Sequence, residues 1–570
     1  MNKVKRVLNR LKKKEQNIKL FNWMIRVTRP YIHYIIIIFI ISLVSMGISY
    51  ASTIIGKYVV DDATKGAINI GNITLMCVTT IVSIIIGIFS SILSSYINER
   101  FSFNIKQKLF NDIQRSVWIK ISKYHSGDLV TRLTSDVGGL ADGLISLIPS
   151  TILIVCQLVI SFCILFHYDK TIAVLALILG PMGALSMIFF KERYKKYQKQ
   201  LRESESEYRT FMQESLSDLT VIKTFMQEDI NEKKMEEFKN KRLKLVIRNT
   251  RLSSIMGAVM KMIYNVGYVI AFCWGSYRIS TGDITYGTLT VFITLVSKIQ
   301  GSVSGLAGLI PQVYSMLISA ERISDVTEME KEIYEGKTST PKKVGLEIKG
   351  VSFAYDKEQI LKNLDLSVKP GEKIGIVGAS GAGKTTLIRM LLALTKPQKG
   401  SIEYTFSNGG EPVCPDSRRF ISYVPQGNTL KTGTIAENIR VGKSDANEVM
   451  IKKSLKMASA NKFVEKFPEK LETEIGEGSV GISEGQAQRI AIARALISEK
   501  PVLILDEATS ALDEKTESII LKNITENLTS ITCFIITHRS SMLKYCDKVI
   551  EIDENGNISM RIVNSFSSNI

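Results

Sequence analysis

The chain has 570 residues, a formal charge of +18 and 45% hydrophobic residues, which is too long for one ordinary core and predicts two or more domains. The charge does not read as a nucleic-acid surface, because no basic patch carries the interleaved aromatics that stack on single strands. The opening "MNKVKRVLNRLKKK", with no acid before Glu15, precedes a hydrophobic span instead, as a cytoplasmic tail beside anionic lipid does.

In chain order, the first apolar segment starts near residue 31 and is too long for a signal-peptide core, so no cleavable signal is expected. About twenty apolar residues cross a bilayer. Spans are predicted at 31–55, 73–97, 147–167, 171–190, 253–279 and 285–310. Only "HYDK" (167–170) separates the third from the fourth, which predicts a tight outer turn. The sixth is the least apolar, with Lys298 and Gln300 inside it. Segments 98–146 and 191–252 are rich in Lys and Arg, including "KERYKKYQK" at 191–199, whereas the loops near 56–72, 168–170 and 280–284 hold few. By the positive-inside rule both termini are cytoplasmic, and the two basic segments extend the membrane helices into the cytosol.

Lys261 and Asn265 sit one helical turn apart in the fifth span. An ionisable residue inside a membrane is a functional candidate. The competing reading places Lys261 near the inner leaflet, where its long stem reaches the interface. The seven cysteines, Cys77, Cys156, Cys163, Cys273, Cys414, Cys533 and Cys546, form no CxxC pair and several lie in apolar runs. Buried thiols, not a metal or disulfide framework, are expected.

After about residue 340 the pattern changes to short β-runs and helices. "EKIGIVGASGAGKTTLIRMLLAL" reads as strand, Gly-rich loop and helix, and Gly378 to Thr385 fits G-x-x-x-x-G-K-[ST]. Loop amides at Gly378, Ser380, Gly381 and Gly383 would cradle phosphates with Lys384, Thr385 and Thr386, and Thr385 would hold Mg²⁺. "PVLILDEATSALD" ends a buried strand in Asp506, suited to metal ligation, with Glu507 beside it, suited to polarising a water. "CFIITHRSS" ends another strand in His538, a candidate γ-phosphate contact.

Together the Gly-rich loop, "GISEGQAQRIAIARAL", "LILDEATSALD" and "ITHR" resemble the nucleotide-binding domain of ABC transporters, and six preceding spans make the chain similar to a half-size exporter of the type IV fold. The resemblance implies a six-helix membrane α-helical domain at 31–325, preceded by a basic tail and elbow helix (1–30) and followed by a linker (326–343). It also implies an α/β P-loop NTPase domain of ABC type at 344–570. Tyr355 resembles the aromatic that stacks on adenine. Gln426 in "YVPQGNTL" resembles the Q-loop glutamine, which reaches Mg²⁺. Ser510 to Asp513 resemble the D-loop, which implies that Asp513 contacts the nucleotide. "HSGDLVTRLTSDV" (125–137) resembles the segment after the first coupling helix and "ESLSDLTVIKTF" (214–225) the second coupling region, the two regions being expected near 112–128 and 210–225. "TEIGEGSVGISEGQ" resembles the X-loop, so Glu477 would touch a coupling helix, although Gly478 and Ser479 stand where an Arg-Gly pair is frequent.

Residues Gly481 to Gln486 resemble the signature motif LSGGQ, in which Ser483, Gly485 and Gln486 bind ATP held by a second subunit; Glu484 departs from it. Ser483 and Gln486 also fit a capping box, and free amides at a helix start attract phosphate. As the first helical residue, Glu484 gains about 0.3–1 kcal/mol from the helix dipole. Facing a phosphate at about 4 Å it would lose about 4 kcal/mol at an effective dielectric near 20. A working site therefore needs the carboxylate turned outward, which the roughly 100° step between adjacent helix positions permits.

The resemblance thus implies an ATP-hydrolysing exporter half in a bacterial plasma membrane. It would move an amphipathic drug, lipid or small peptide with ATP and Mg²⁺ as cofactors, in a homodimer or as the complete half of a heterodimer. A siderophore-type importer on the same fold is the alternative. A soluble ABC ATPase is opposed by the six spans, and an ATP-gated channel by the lack of regulatory inserts. A peptidase-bearing exporter needs an N-terminal Cys–His domain for which the short basic segment leaves no room.

Overall fold

The computed structural model describes residues 18–355, 358–379, 381–407, 409–427, 429–476, 481–553 and 558–563. The chain divides into two compact units, Met1–Gln114 with Tyr124–Glu328, and Arg115–Lys123 with Met329–Ile570. The basic run at 1–14 lies outside the described residues.

The first unit is helical. Its long helices are α1 (Ile32–Thr64), α2 (Ile70–Arg115), α3 (Ile148–Tyr168), α4 (Lys170–Ser217), α5 (Glu228–Ser280) and α6 (Tyr286–Thr327), and each contains one predicted span to within a residue. Among the described residues five helices are long and apolar enough to cross a bilayer: Ile18–Thr64, Ile70–Arg115, Ser126–Tyr168, Glu228–Ser280 and Tyr286–Thr327. The fourth predicted span, 171–190, lies in α4. The 46 residues of α2 make about 69 Å of helix against a hydrocarbon core of about 30 Å, so much of it projects beyond the membrane. Ile84, Ile85, Ile88 and Ile92 of α2 are all more than half exposed, an apolar surface that only lipid or another helix covers.

Carboxylates fasten the loop ends of these helices. Asp169, the single residue between α3 and α4, accepts the N–H groups of Thr171 (2.8 Å) and Ile172 (3.2 Å), and its other oxygen accepts Trp274 Nε1 (3.1 Å). Asp61 near the end of α1 accepts Gly287 N (2.8 Å) and Thr285 Oγ1 (2.9 Å), so a negative charge sits on the N-terminus of α6. Here α1 runs nine residues beyond the predicted span, because "GKYVVDDAT" has no Pro and its Asp61 is tied to the start of α6. Beside the "HSGDLVTRLTSDV" run, Arg322 of α6 pairs with Asp128 and with Asp136 (3.0 Å), and Arg132 pairs with Asp128 (2.8 Å). Further along, α4 and α5 are bridged by Glu207–Lys241 and Glu205–Arg242. The unit's core gathers Leu165, Ile172, Ala271, Phe292, Leu295 and Ile299.

The second unit is built from β1 (Gly345–Tyr355), β2 (Glu358–Val368), β3 (Lys373–Gly378), β4 (Lys399–Phe406), β5 (Gly409–Pro412), β6 (Ile421–Val424), β7 (Gly433–Thr434), β8 (Glu474–Ile475), β9 (Val502–Asp506), β10 (Thr532–Ile536), β11 (Lys548–Ile552) and β12 (Ile558–Ile562). One sheet has the order β2–β1–β4–β5 and another β12–β11–β3–β10–β9–β6. Within the larger sheet β11, β3, β10, β9 and β6 are parallel. A parallel sheet is buried on both faces, and the alternation of side chains shows it. Val502, Ile504, Phe534 and Ile536 enter one core, while Leu503, Leu505, Cys533 and Ile535 enter the other.

Segment Arg115–Lys123, inside the predicted coupling region 112–128, packs with this second unit. Val117 N donates to Glu330 O (2.9 Å), Glu332 N to Arg115 O (2.8 Å), and Lys120 pairs with Glu330 (2.7 Å). A short helix, Trp118–Ile121, lies in it, and another, Leu219–Thr224, lies in the second region at 210–225. The stretch after α6, predicted as a linker, is pinned by a two-pronged Arg418–Glu332 contact (2.6 and 2.8 Å) and by Arg419 Nε donating to Ser339 O (2.7 Å). Of the cysteines, Cys533 and Cys546 are buried, and desolvation pushes both thiols up to about 12. Cys77, Cys163 and Cys273 are exposed instead, since apolar runs in membrane helices bury their residues against lipid and not within the chain.

Candidate functional site

Parallel strands deliver their carboxyl ends to one edge of a sheet, and where the strand order jumps the edge opens a crevice. Here β3, β10, β9 and β6 are neighbours although far apart in sequence, so Gly378, Thr537–His538, Asp506–Glu507 and Gln426 all follow strand ends on that edge.

From β3 the chain enters the Gly378–Thr385 loop and then α7 (Lys384–Leu391). Gly383 has φ +102°, and a Cβ there would lie 2.7 Å from Ile360 Cγ2, so only glycine fits. Ser380 lies outside the described residues, and Gly381 is exposed at the loop tip. Lys384 folds back so that Nζ donates to Gly378 O (2.7 Å) and Ala379 O (3.2 Å). Burial lowers the pKa of this ammonium, against the opposing pull of Glu507 and Asp506. Thr385 faces outward while Thr386 is buried.

Asp506 is 4% exposed, accepts Tyr423 Oη (3.1 Å), and has its pKa raised by burial. Glu507 adopts φ +48°, a left-handed conformation that costs a non-glycine residue strain and recurs at functional sites. Its carboxylate is held at both ends: Oε2 accepts Gln426 Nε2 (2.8 Å), and Oε1 lies 2.8 Å from His538 Nε2. The three residues predicted from sequence as catalytic, Glu507, His538 and Gln426, are thus in one hydrogen-bonded set. That set can orient a water and take its proton.

Tyr355 ends β1, and its hydroxyl accepts Arg389 Nη1 (3.2 Å). The Arg389 guanidinium in turn lies 4.6 Å from the centre of the Trp118 ring. The ring proposed to carry adenine is therefore linked through Arg389 to a residue of the predicted coupling region. Arg389→Met is expected to raise the ATP concentration for half-maximal turnover by about three- to tenfold, the worth of one such contact. An unchanged ATP dependence would mean that Arg389 does not position Tyr355.

Helix α8 (Glu484–Leu496) opens with the predicted capping box: Gln486 N donates to Ser483 Oγ (3.3 Å), and Ser483 N to Gln486 Oε1 (3.0 Å). Glu484 is exposed at the first helical position. The start of α8 is fitted against the 510–513 loop, since a Cβ on Gly485 would lie 2.8 Å from Ala511 O, and Gln488 bonds Ser510 Oγ (3.2 Å) and Ala511 N (3.1 Å). Asp513 caps α9 (Glu514–Asn527), accepting Thr516 N (2.9 Å), so one oxygen of this predicted nucleotide contact already serves the helix. Glu477 to Val480 lie outside the described residues. Glu484→Gly is expected to change the ATPase rate by no more than about twofold, because removing an exposed N-terminal carboxylate costs only the dipole term. A many-fold rise would place that carboxylate against the phosphate.

Four functional neighbours escape motif reading: Arg389, Tyr423, Arg539 and Glu517. Arg539 donates to Leu512 O (3.0 Å), Ser510 O (3.3 Å) and Glu517 Oε2 (2.5 Å), tying the residue after His538 to the 510–513 loop. A signal for Glu517 exists, since it shares the apolar face of α9 with Ile520, Leu521 and Ile524.

Residues 32–303 match the family model for the ABC transporter transmembrane region, and residues 361–510 match the family model described as ABC transporter. Among similar proteins are one of Staphylococcus aureus strain NCTC 8325, 28% identical over 545 residues, and YgaD of Bacillus subtilis strain 168, 28% identical over 549 residues, both carrying names of the multidrug export ATP-binding/permease type. Each alignment covers 93% of this chain and 94% of the relative.

Proposed function

Because the chain belongs to the ABC transporters, as an exporter-type half-transporter with membrane and ATP-binding regions fused, we propose that two copies form a self-sufficient exporter of amphipathic molecules. The observation that carries self-sufficiency is the hydrogen-bonded set of Glu507, Gln426 and His538 in a chain that also keeps its phosphate loop and signature helix. Half-transporters whose catalytic carboxylate is lost need a competent partner; this one does not.

In the proposed cycle the ATP phosphates lie on the amides from Gly378 to Thr386. Lys384 leaves its two carbonyl partners for the β- and γ-phosphates, and Tyr355 stacks on adenine. Ser483, Gly485 and Gln486 of one copy meet the γ-phosphate held by the other. Support for this comes from the cores: the phosphate-loop helix packs through Leu387 and Ile388 in one cluster, and α8 packs through Ile490 and Ile492 in the other. Glu507, steadied by Gln426 and His538, takes the proton of the attacking water. Thr385, Gln426 and Asp506 offer hard oxygen donors suited to Mg²⁺. The fit is supported by Asp506 itself, a buried carboxylate that makes no ion pair among the described residues. Bound there, the ion would neutralise phosphate charge.

The membrane placement in this proposal has both termini in the cytoplasm and the helices in the bacterial plasma membrane. ATPase activity of the chain purified alone in lipid nanodiscs tests the reading. Steady Mg²⁺-dependent turnover is expected. A folded, ATP-binding protein without turnover would assign the chain to a heterodimer.

A further inference from the structure

The six apolar segments contain no Asp and no Glu, yet they contain Lys261, Arg278 and Lys298. These three cations differ in depth and partners. Arg278 lies at the loop end of α5 beside Asp169 (3.8 Å) and Asp283 (3.4 Å). Lys261 is nineteen residues before the end of α5 at Ser280, about 28 Å along the helix, which puts it at the far edge of a hydrocarbon core of about 30 Å. At that depth its long stem is within reach of the interface, so Lys261 needs no ligand.

Lys298 has no such exit. It is twelve residues into α6, about 18 Å from the helix start and near the middle of the core, too deep for its stem to reach either interface. A charged residue at that depth faces a partner or a polar cavity, not lipid. Its described neighbours are neutral: Nζ lies 4.0 Å from the centre of the Tyr50 ring and 3.4 Å from Ser49 Oγ. The ring is fixed, because Tyr50 Oη bonds Ser161 Oγ and donates to Gln157 O (2.9 Å). The lysine itself is only half-buried. Among the described residues no carboxylate pairs with it, and no carboxylate exists in any apolar segment to do so.

We propose that the missing anion comes from the transported molecule: Lys298, seated on the Tyr50 ring, binds the acidic head of an anionic amphipath within the membrane domain. This rests on the exporter reading and names its substrate class. The aromatic face holds the cation in place without neutralising it. An anion meeting a fixed cation in low-dielectric surroundings gains far more than in water. The same site repels a cationic amphipath.

The test uses the full chain in nanodiscs of phosphatidylcholine and two dansyl-labelled C12 amphipaths, one ending in a carboxylate and the other in a trimethylammonium. Probe binding is followed by dansyl fluorescence, and ATPase activity is measured in parallel. The carboxylate probe is expected to bind at least about tenfold more tightly. Lys298→Met should abolish that preference and Lys298→Arg should keep it, the latter also controlling for folding. Equal binding of both probes by the unaltered chain, or a preference that survives Lys298→Met, overturns the proposal. Adding phosphatidylglycerol to the nanodiscs separates the sources of the anion: competition with the carboxylate probe shows that bilayer lipid takes the site, and no competition shows that only the smaller acid does. Turnover without a headgroup preference defeats this inference alone, whereas absent turnover defeats the self-sufficient exporter and leaves the binding preference readable.

Discussion

Glu507→Gln is expected to lower the ATPase rate of the purified chain by at least about 100-fold while leaving ATP binding within about threefold. The amide has the shape of the carboxylate and can still bond Gln426 and His538 at their present distances of 2.8 Å, so the site should keep its form. What it loses is the group able to take a proton from water. In the proposed cycle nucleotide binding rests on the Gly378–Thr386 loop, which Glu507 does not build. The measurement is steady-state phosphate release beside equilibrium ATP binding on the same preparation. Turnover above a tenth of the unaltered rate would show that another group activates the water.

The second large effect concerns stability. Glu517 is 1% exposed on its side chain and accepts both Thr509 Oγ1 (2.6 Å) and Arg539 Nη1 (2.5 Å). Truncation to Ala leaves a void on the buried face of α9 and an arginine without its carboxylate. The expected loss is about 3 kcal/mol, at the lower end for a broken buried pair because Arg539 is partly exposed. In a unit of this size that lowers the unfolding temperature by about 10 °C. Since Arg539 also holds Ser510 O and Leu512 O, ATPase activity should fall with it. Thermal unfolding of the full chain, with Arg539→Ala and the double variant, completes a cycle. The second change should cost little once the first is made, and additive losses would show that the pair does not interact.

Much of this was legible in the sequence because its signals are local. Twenty-residue apolar runs each fell inside one of the six long helices to within a residue, and the Gly-rich loop named its own strand and helix. Helix ends were less legible. Nothing in the sequence near α1 says that Asp61 will cap a helix 226 positions later, so the loop was expected several residues early. The convergence of Glu507, His538 and Gln426 was readable as three strand ends, but their mutual hydrogen bonds depend on the order β10–β9–β6. Arg389, Tyr423 and Arg539 act through residues more than twenty positions away and carry no spacing rule of their own. Cysteines in apolar runs misled for a related reason: in a membrane helix an apolar position faces lipid as readily as a core.

In the proposed function this chain alone couples ATP hydrolysis to outward movement of an amphipath. ATP-driven uptake into proteoliposomes tests it most directly, since only copies whose nucleotide domains face outward see added ATP. Accumulation of the dansyl carboxylate probe inside the vesicles, dependent on Mg²⁺ and absent with Glu507→Gln, is the predicted result. Steady ATP hydrolysis with no accumulation, or with ATP-driven release of preloaded probe, would contradict it.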